Sequence, residues 1–175
     1  MIKVIEAPDG HFERCKWLVS KALAVGGTIV DIGSSDCWMF RDVAKDRTVF
    51  VDIDPEAGKK CKGLNFCLAD AHNLPFVDNS FDVAVLGDVL EHVENPIRVL
   101  REAYRVCRRK LLITVPLEHE WEPHVKPFAN PDHIRFYSER MLRRHLREAG
   151  IKNFDLIKIK GGGWVFLAVE VDVHA

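Results

Sequence analysis

Residues 28–36 of the chain read Thr-Ile-Val-Asp-Ile-Gly-Ser-Ser-Asp. The first five are mostly β-branched, and a glycine, two serines and an aspartate follow them. Such a continuous apolar run is typical of a strand that is buried in a parallel sheet. Gly33 lets the backbone turn sharply and approach a ligand closely. The helix expected next would begin with free N–H groups that suit a carboxylate or a phosphate. The stretch therefore predicts a strand–turn–helix unit with a binding site near its turn.

Strands and helices alternate on both sides of this unit. Seven strands are predicted, at residues 28–32, 48–53, 66–69, 81–86, 111–115, 154–159 and 164–171. Helices are predicted at residues 9–25, at about 36–45, after Asn95-Pro96 and after Ser138. Glycines 161–163 separate the last two strands, which predicts an antiparallel hairpin. We therefore expect a single α/β domain over residues 1–175. Its architecture would be a three-layer sandwich around a mostly parallel seven-stranded sheet with an antiparallel C-terminal hairpin strand.

Composition sets the broad class of the protein. The chain has 175 residues, of which 47% are apolar and 29% charged, as in soluble globular proteins. Its formal net charge of −1 gives no general attraction to nucleic acid. No secretory h-region and no apolar run of about 18 residues is present, so neither a signal peptide nor a membrane span is expected. The five cysteines are odd in number and lack CxxC spacing, which argues against a disulfide framework and favours the reducing cytoplasm.

Small or acidic residues follow four successive strands of the predicted sheet. Gly33 follows the first strand. Asp52 lies 19 residues later, where a carboxylate can accept both ribose hydroxyls. Asp70 follows the third strand and could accept from the amino group of an adenine, and Gly87 and Asp88 follow the fourth. Because ligands bind outside the carboxyl ends of parallel strands, these residues together predict a nucleoside site.

The glycine spacing argues against a dinucleotide cofactor. A dinucleotide fingerprint needs glycines at offsets 0, 2 and 5, and these offsets hold Gly33, Ser35 and Trp38. Trp38 would crowd the place of a pyrophosphate. Ile53 and Leu74 are apolar neighbours of the predicted site that could enclose an adenine between them.

Taken in order, these motifs resemble those of class I S-adenosylmethionine-dependent methyltransferases, in particular the small Rossmann-like group typified by UbiE-like enzymes. The matching segments are residues 30–35, 51–55, 69–71, 74–76, 79–83 and 89–93. The closing helix and the final hairpin also fit, so the resemblance extends over nearly the whole chain. It implies a Rossmann-like sheet and an enzyme with S-adenosyl-L-methionine as its cofactor.

The resemblance also implies which residues bind that cofactor. The loop at Gly33 would hold the methionine part, and Asp52 would bind the ribose. Asp70 would read the adenine edge, and the carbonyl of Gly87 would accept from the methionine ammonium. The implied set is Asp31, Gly33, Ser34, Ser35, Asp52, Ile53, Asp70, Ala71, Gly87 and Asp88.

The turn departs from the family pattern at one important position. The family sequence is Gly-x-Gly-x-Gly, whereas this chain has Gly33, Ser35 and Cys37 at the three places. Cys37 is expected to put a side chain where the loop is normally bare, which would weaken cofactor binding or shift the next helix. A catalytically silent relative that acts as a binding subunit therefore stays open as an alternative.

Methyl transfer mainly requires alignment, and an oxygen or nitrogen acceptor must also lose a proton to a nearby carboxylate or imidazole. Asp88 and His119 are the candidate catalytic residues. Residues 116–137 form a long polar and aromatic loop, a kind of loop that is usually functional. We expect a small-molecule acceptor to be bound there by Trp121, His124, Phe128, His133 and Tyr137.

No metal is expected in this loop. His119, Glu120 and His124 lack HExxH spacing, and exposed loop histidines are common. His92 belongs to the helix signature that follows the fourth strand and is expected to be a structural, hydrogen-bonding histidine.

Basic side chains cluster on the last predicted helix. Arg140, Arg143, Arg144 and Arg147 share one face, which predicts a solvated surface. RNA or an acidic protein partner is the alternative, although no aromatic-interleaved RNA module accompanies the arginines. Another nucleotide-binding enzyme on a similar fold is the remaining alternative.

Overall fold

Residues 2–126 and 130–173 are described in the computed structural model of the protein. The strands in these ranges are β1 (Lys3–Glu6), β2 (Ile29–Ile32), β3 (Thr48–Asp52), β4 (Phe66–Leu68), β5 (Phe81–Gly87), β6 (Cys107–Pro116), β7 (Asp155–Gly161) and β8 (Trp164–Asp172). The α-helices are α1 (Gly10–Val25), α2 (Trp38–Arg41), α3 (Pro55–Lys60), α4 (Pro96–Val106) and α5 (Glu139–Glu148). Short 3₁₀ helices lie at Lys45–Arg47 and Glu118–Glu120.

The strands form one sheet in the order β1-β7-β8-β6-β5-β2-β3-β4. Strand β8 runs antiparallel to both β6 and β7, whereas the other neighbouring pairs are parallel. The predicted mostly parallel sheet with an antiparallel C-terminal strand is therefore confirmed. The predicted number of seven strands was one too few, because β1 adds a parallel edge strand on β7. This strand has four mostly exposed residues, so it lacks the apolar run that marks the others.

Side chains of the central strands alternate between two apolar clusters. On β5, Val83 and Val85 pack into the cluster that includes α1 and α2. Ala84 and Leu86 pack into the cluster that includes α4 and α5. Because successive side chains of a strand point to opposite faces, the helices cover both faces of the sheet. This arrangement confirms the predicted three-layer sandwich.

The helix after β2 is shorter than predicted. It covers Trp38–Arg41 instead of residues 36–45. Cys37, the residue before it, has a left-handed φ of 62°, so the regular helix begins only after Cys37. The prediction for α1 is confirmed, because Asp9 caps this helix by accepting from the backbone N–H groups of His11 and Phe12.

The cysteine count argued against a disulfide framework and gave no indication of the one disulfide that the described residues contain. Cys37 and Cys61 form a disulfide between the turn after β2 and the end of α3, with Cα atoms 5.9 Å apart. Their separation of 24 residues follows no recognisable pairing pattern, so only the fold brings them together. Cys15, Cys67 and Cys107 are free thiols. None of the helices in residues 2–126 and 130–173 has the length and apolarity of a membrane span.

Candidate active site

A cleft of about 710 Å³ opens at the carboxyl ends of β2, β3, β4 and β5. Parallel strands present their ligand site at this edge of a sheet. All ten residues of the predicted cofactor set line the cleft: Asp31, Gly33, Ser34, Ser35, Asp52, Ile53, Asp70, Ala71, Gly87 and Asp88. The structure thus brings together side chains that lie up to 57 positions apart in the sequence.

Gly33 forms the tight turn at the end of β2. Its φ of 74° favours glycine. A Cβ on this residue would lie 2.6 Å from Cγ2 of Val89, which is too close. The backbone N–H groups of Gly33 and Ser34 both donate to the carbonyl of Val51, at 2.8 and 2.9 Å. This glycine therefore lets the turn pack simultaneously against β3 and against the segment after β5.

The turn continues through two residues that are not glycine yet have left-handed backbones, Ser35 with φ 48° and Cys37 with φ 62°. The Ser35 N–H donates to Oδ2 of Asp52 at 2.8 Å, and the Asp54 N–H donates to Oδ1 at 3.0 Å. The carboxylate of Asp52 is thereby fixed at the rim of the cleft. Each of its oxygens keeps further acceptor capacity for a ligand hydroxyl.

The side chain of Cys37 lies outside the cleft. It is fully buried, is bonded to Cys61 and is absent from the residues that line the cleft. The expectation that Cys37 places a side chain in the bare part of the loop was therefore wrong. The left-handed backbone of Cys37 directs this side chain under the turn, where the disulfide holds it.

Asp31 is the most buried acid of the cleft. Its side chain lines the cleft, yet Oδ2 has no hydrogen-bond partner among the described residues. Burial, and then the charge of Asp52, raise the pKa of Asp31 to about 7. A buried polar atom without a partner is costly, so Oδ2 is suited to accept from a cationic or N–H group of a ligand.

Two further residues line the cleft after β4 and β3, the acidic Asp70 and the apolar Ile53. Oδ1 of Asp70 accepts from the backbone N–H of His72 at 2.8 Å and lies 2.7 Å from Nδ1 of the same residue. These bonds lower the pKa of Asp70. Ile53 is exposed at the rim, where it can cover a flat ring. Leu74 is buried in the core and does not line the cleft, so its predicted place against an adenine was wrong.

Arg14 is a functional candidate that the sequence analysis missed. It projects from α1 into the cleft, and its Nη2 lies 2.7 Å from Oδ2 of Asp88. Thr114 donates through Oγ1 to Oδ1 of Asp88 at 2.7 Å. The sequence did indicate this residue. Leu18 and Ala22 follow Arg14 at steps of four and are buried, so Arg14 lies on the same apolar face of α1. A charged residue on the apolar face of a helix indicates a buried partner.

The predicted acceptor residues do not meet in the cleft. Trp121 is buried and donates through Nε1 to the carbonyl of Val165, and Tyr137 is buried against His145. His119 and His124 are exposed beside acidic neighbours. None of these four residues lines the cleft. Trp121 and Tyr137 pack into the core instead, whereas Phe136 is exposed. Phe128 lies outside the described residues.

His133 lies near the cleft without lining it. Its ring packs edge-on against that of His92, with centroids 4.6 Å apart, and His92 does line the cleft. Burial, and then His133, lower the pKa of His92. The other residues that line the cleft are Trp38, Met39, Val51, Ala69, His72, Val89, Val93, Glu94 and Asn130.

Comparisons with known proteins agree with this geometry. Residues 30–113 match a family model described as a methyltransferase domain. An uncharacterized protein of Methanocaldococcus jannaschii is 31% identical over 112 residues, which cover 59% of this chain and 55% of that protein. A demethylmenaquinone methyltransferase of Lactobacillus johnsonii is 28% identical over 65% of this chain and 60% of its own length. The chain thus spans little more than half the length of these two relatives.

Solved structures share the fold. A Thermotoga maritima protein described as a SAM-dependent methyltransferase superposes with a TM-score of 0.70 and covers 93% of this chain and 90% of its own. Its sequence identity of 21% makes this a likeness of fold alone.

Proposed function

We propose that the chain is a class I S-adenosylmethionine-dependent methyltransferase, which binds S-adenosylmethionine in the cleft and methylates a small-molecule acceptor. The observation that carries this proposal is the convergence of four strand ends, with all ten expected cofactor residues, on one cleft. A nucleoside with a charged amino-acid tail needs acidic groups at both ends of its site. Asp31, Asp52 and Asp70 supply them.

The inner end of the cleft fits the methionine part. Gly33 and Ser34 line this end, and the tight turn that Gly33 permits against Val89 and Val51 sets its shape. Oδ2 of Asp31 lacks a partner among the described residues and can accept from the ammonium. A positive charge beside Asp31 would favour its ionised form.

The outer end fits the adenosine part. Asp52 is held by the N–H groups of Ser35 and Asp54, and its remaining lone pairs can accept from the two ribose hydroxyls. Ile53 offers an apolar surface to the adenine ring, and Asp70 offers an acceptor to its amino group.

S-adenosylmethionine supplies a methyl group on a positively charged sulfur, which is already a good leaving group. The protein therefore has mainly to orient the reactants and to exclude water. Asp88 is suited to orienting, because Arg14 and Thr114 already engage its two oxygens. His119 takes no part in this proposal, since it is exposed outside the cleft.

A small acceptor fits the charge distribution better than RNA does. Two arginines of α5 are paired with acids of the same helix, Arg143 with Glu139 and Arg144 with Glu148. Arg108 is paired with Asp82. These pairs reduce the free positive charge available to phosphates.

Methyl transfer can be tested with S-adenosylmethionine that carries a labelled methyl group, a panel of quinols, phenols, amines and thiols, and Asp52→Ala as the matched control. We expect label in at least one small product with the wild-type chain and a loss of at least about tenfold in the variant. Cofactor binding without transfer to any member of the panel, or to a small-molecule cell extract, would instead favour the silent binding subunit.

A further inference from the structure

Glu91, His92 and His133 form a cluster beside the cleft. One potential ligand atom from each residue lies within 4.8 Å of the other two. Glu91 and His92 follow β5 and Asp88, whereas His133 comes from the segment before α5. The residues of the cluster are drawn together from two distant parts of the chain, so sequence spacing gave no indication of it.

Glu91 has no partner that explains its burial. Its side chain is fully buried, and neither carboxylate oxygen forms a hydrogen bond with another described residue. Protonation alone leaves a buried O–H group that still needs an acceptor. A buried carboxylate of this kind is ordinarily paired or bound to a metal ion.

Both histidines are oriented by neighbouring side chains. Nδ1 of His133 lies 2.7 Å from Oε1 of Glu118, and both side chains are less than 10% exposed. The ring of His92 packs edge-on against that of His133, with centroids 4.6 Å apart. When one ring nitrogen of a histidine donates to an acceptor such as Glu118, the other keeps its lone pair for a metal. The arrangement of Glu118 and His133 is the carboxylate–histidine pair found behind many metal ligands.

From these contacts we infer a binding site for a divalent transition-metal ion at Glu91, His92 and His133, with Glu118 positioning His133. Two imidazoles and one carboxylate are a ligand set of zinc and of non-haem iron(II). Zinc bonds of about 2.0–2.2 Å require a small inward movement of the three groups. Zinc is the probe we choose, because it needs no redox control.

The site differs from the metal site considered in the sequence analysis. His119 and His124 are exposed and apart from the triad, whereas His133 belongs to it. His92 lines the cleft, so the cleft offers the ion a path to the triad. Three protein ligands leave a coordination position open. The inference stands on the triad alone and does not depend on methyl transfer.

Calorimetric titration of the chelator-treated full chain with Zn²⁺ tests this site. We expect one zinc per chain with wild type. Glu91→Gln, which keeps the size of the side chain but removes its charge, should weaken binding by about 100-fold or more. Glu118→Gln should weaken it by about 10–100-fold, as expected for a group behind a ligand. His124→Ala is the matched control, because it removes an exposed histidine and should leave zinc affinity unchanged.

Zinc should also raise the unfolding temperature of the wild-type chain and leave that of Glu91→Gln unchanged. This second measurement shows directly whether the variant folds. The inference is overturned if the wild-type chain takes up no zinc, if Glu91→Gln binds it as tightly, or if His124→Ala abolishes binding. Titrating the same variants with S-adenosylmethionine keeps a failure of the metal site distinct from a failure of the cofactor site.

Discussion

Nη2 of Arg14 lies 2.7 Å from Oδ2 of Asp88 and so connects α1 to the residue that follows β5. The two side chains are 9% and 17% exposed, so water screens the pair only weakly. Asp88 also has a left-handed φ of 54°, a conformation that persists only where the surroundings hold it. The ion pair therefore fixes the wall of the cleft between the helix and the sheet.

Replacing Arg14 with alanine should lower the free energy of unfolding by about 2–4 kcal/mol, because the carboxylate of Asp88 is then left largely buried without its cation. Urea denaturation measures this change. The control is Arg143→Ala, which breaks an i,i+4 pair with Glu139 on the surface and should cost less than about 1 kcal/mol. Equal losses in the two variants would contradict a special role for Arg14.

Gly33→Ala should reduce affinity for S-adenosylmethionine by at least about tenfold and destabilise the chain by about 1–3 kcal/mol. The new methyl group meets Val89 and the backbone has a positive φ. Gly26→Ala is a matched control, since its φ of 72° is similar but no atom lies within 4 Å of the added Cβ. If both variants bind the cofactor equally well, crowding at Gly33 does not shape the cleft.

Reduction of the Cys37–Cys61 disulfide should lower stability by about 3 kcal/mol, as expected when a closed loop of this length is released. Since Cys37 lies in the turn that carries Ser35, affinity for the cofactor should fall as well. Thermal unfolding with and without dithiothreitol measures the first effect. Cys61→Ser should no longer respond to the reductant, whereas Cys67→Ser, which removes a free thiol, should respond as the wild type does.

The buried Asp31 predicts a pH dependence of stability. Its pKa is raised from 3.8 to about 7, so the folded chain keeps a proton that the unfolded chain releases between these values. The stabilisation is therefore fully present below about pH 4 and is lost as pH rises towards about 7. Over this pH range the free energy of unfolding of the wild-type chain should fall by on the order of 2–4 kcal/mol more than that of Asp31→Asn, which has no carboxyl group at this position. Urea denaturation at several pH values checks it, and parallel curves for both chains would contradict the assignment.

The fold and the residues that line the cleft could be predicted from the sequence for one physical reason. Parallel strands place their carboxyl ends at one edge, so Gly33, Asp52, Asp70 and Gly87 had to converge once the strands were identified. The edge strand β1 escaped prediction because its four residues are mostly exposed and carry little apolar pattern.

The acceptor side could not be predicted in the same way. A loop position does not determine whether an aromatic side chain faces a ligand or the core, and Trp121 and Tyr137 are buried. Pairing between distant residues was equally hidden, as with Cys37 and Cys61, or Glu118 and His133. Arg14 alone had left a signal, on the apolar face of its helix.

Calorimetric titration with S-adenosylmethionine and S-adenosylhomocysteine tests the central claim most directly, with NAD as the control ligand. We expect micromolar binding of both adenosyl ligands and none of NAD. Asp52→Ala should weaken binding by at least about tenfold, because the ribose loses a charged acceptor. Absence of binding by either adenosyl ligand, or equal binding by the variant, would contradict the assignment of this cleft to the cofactor.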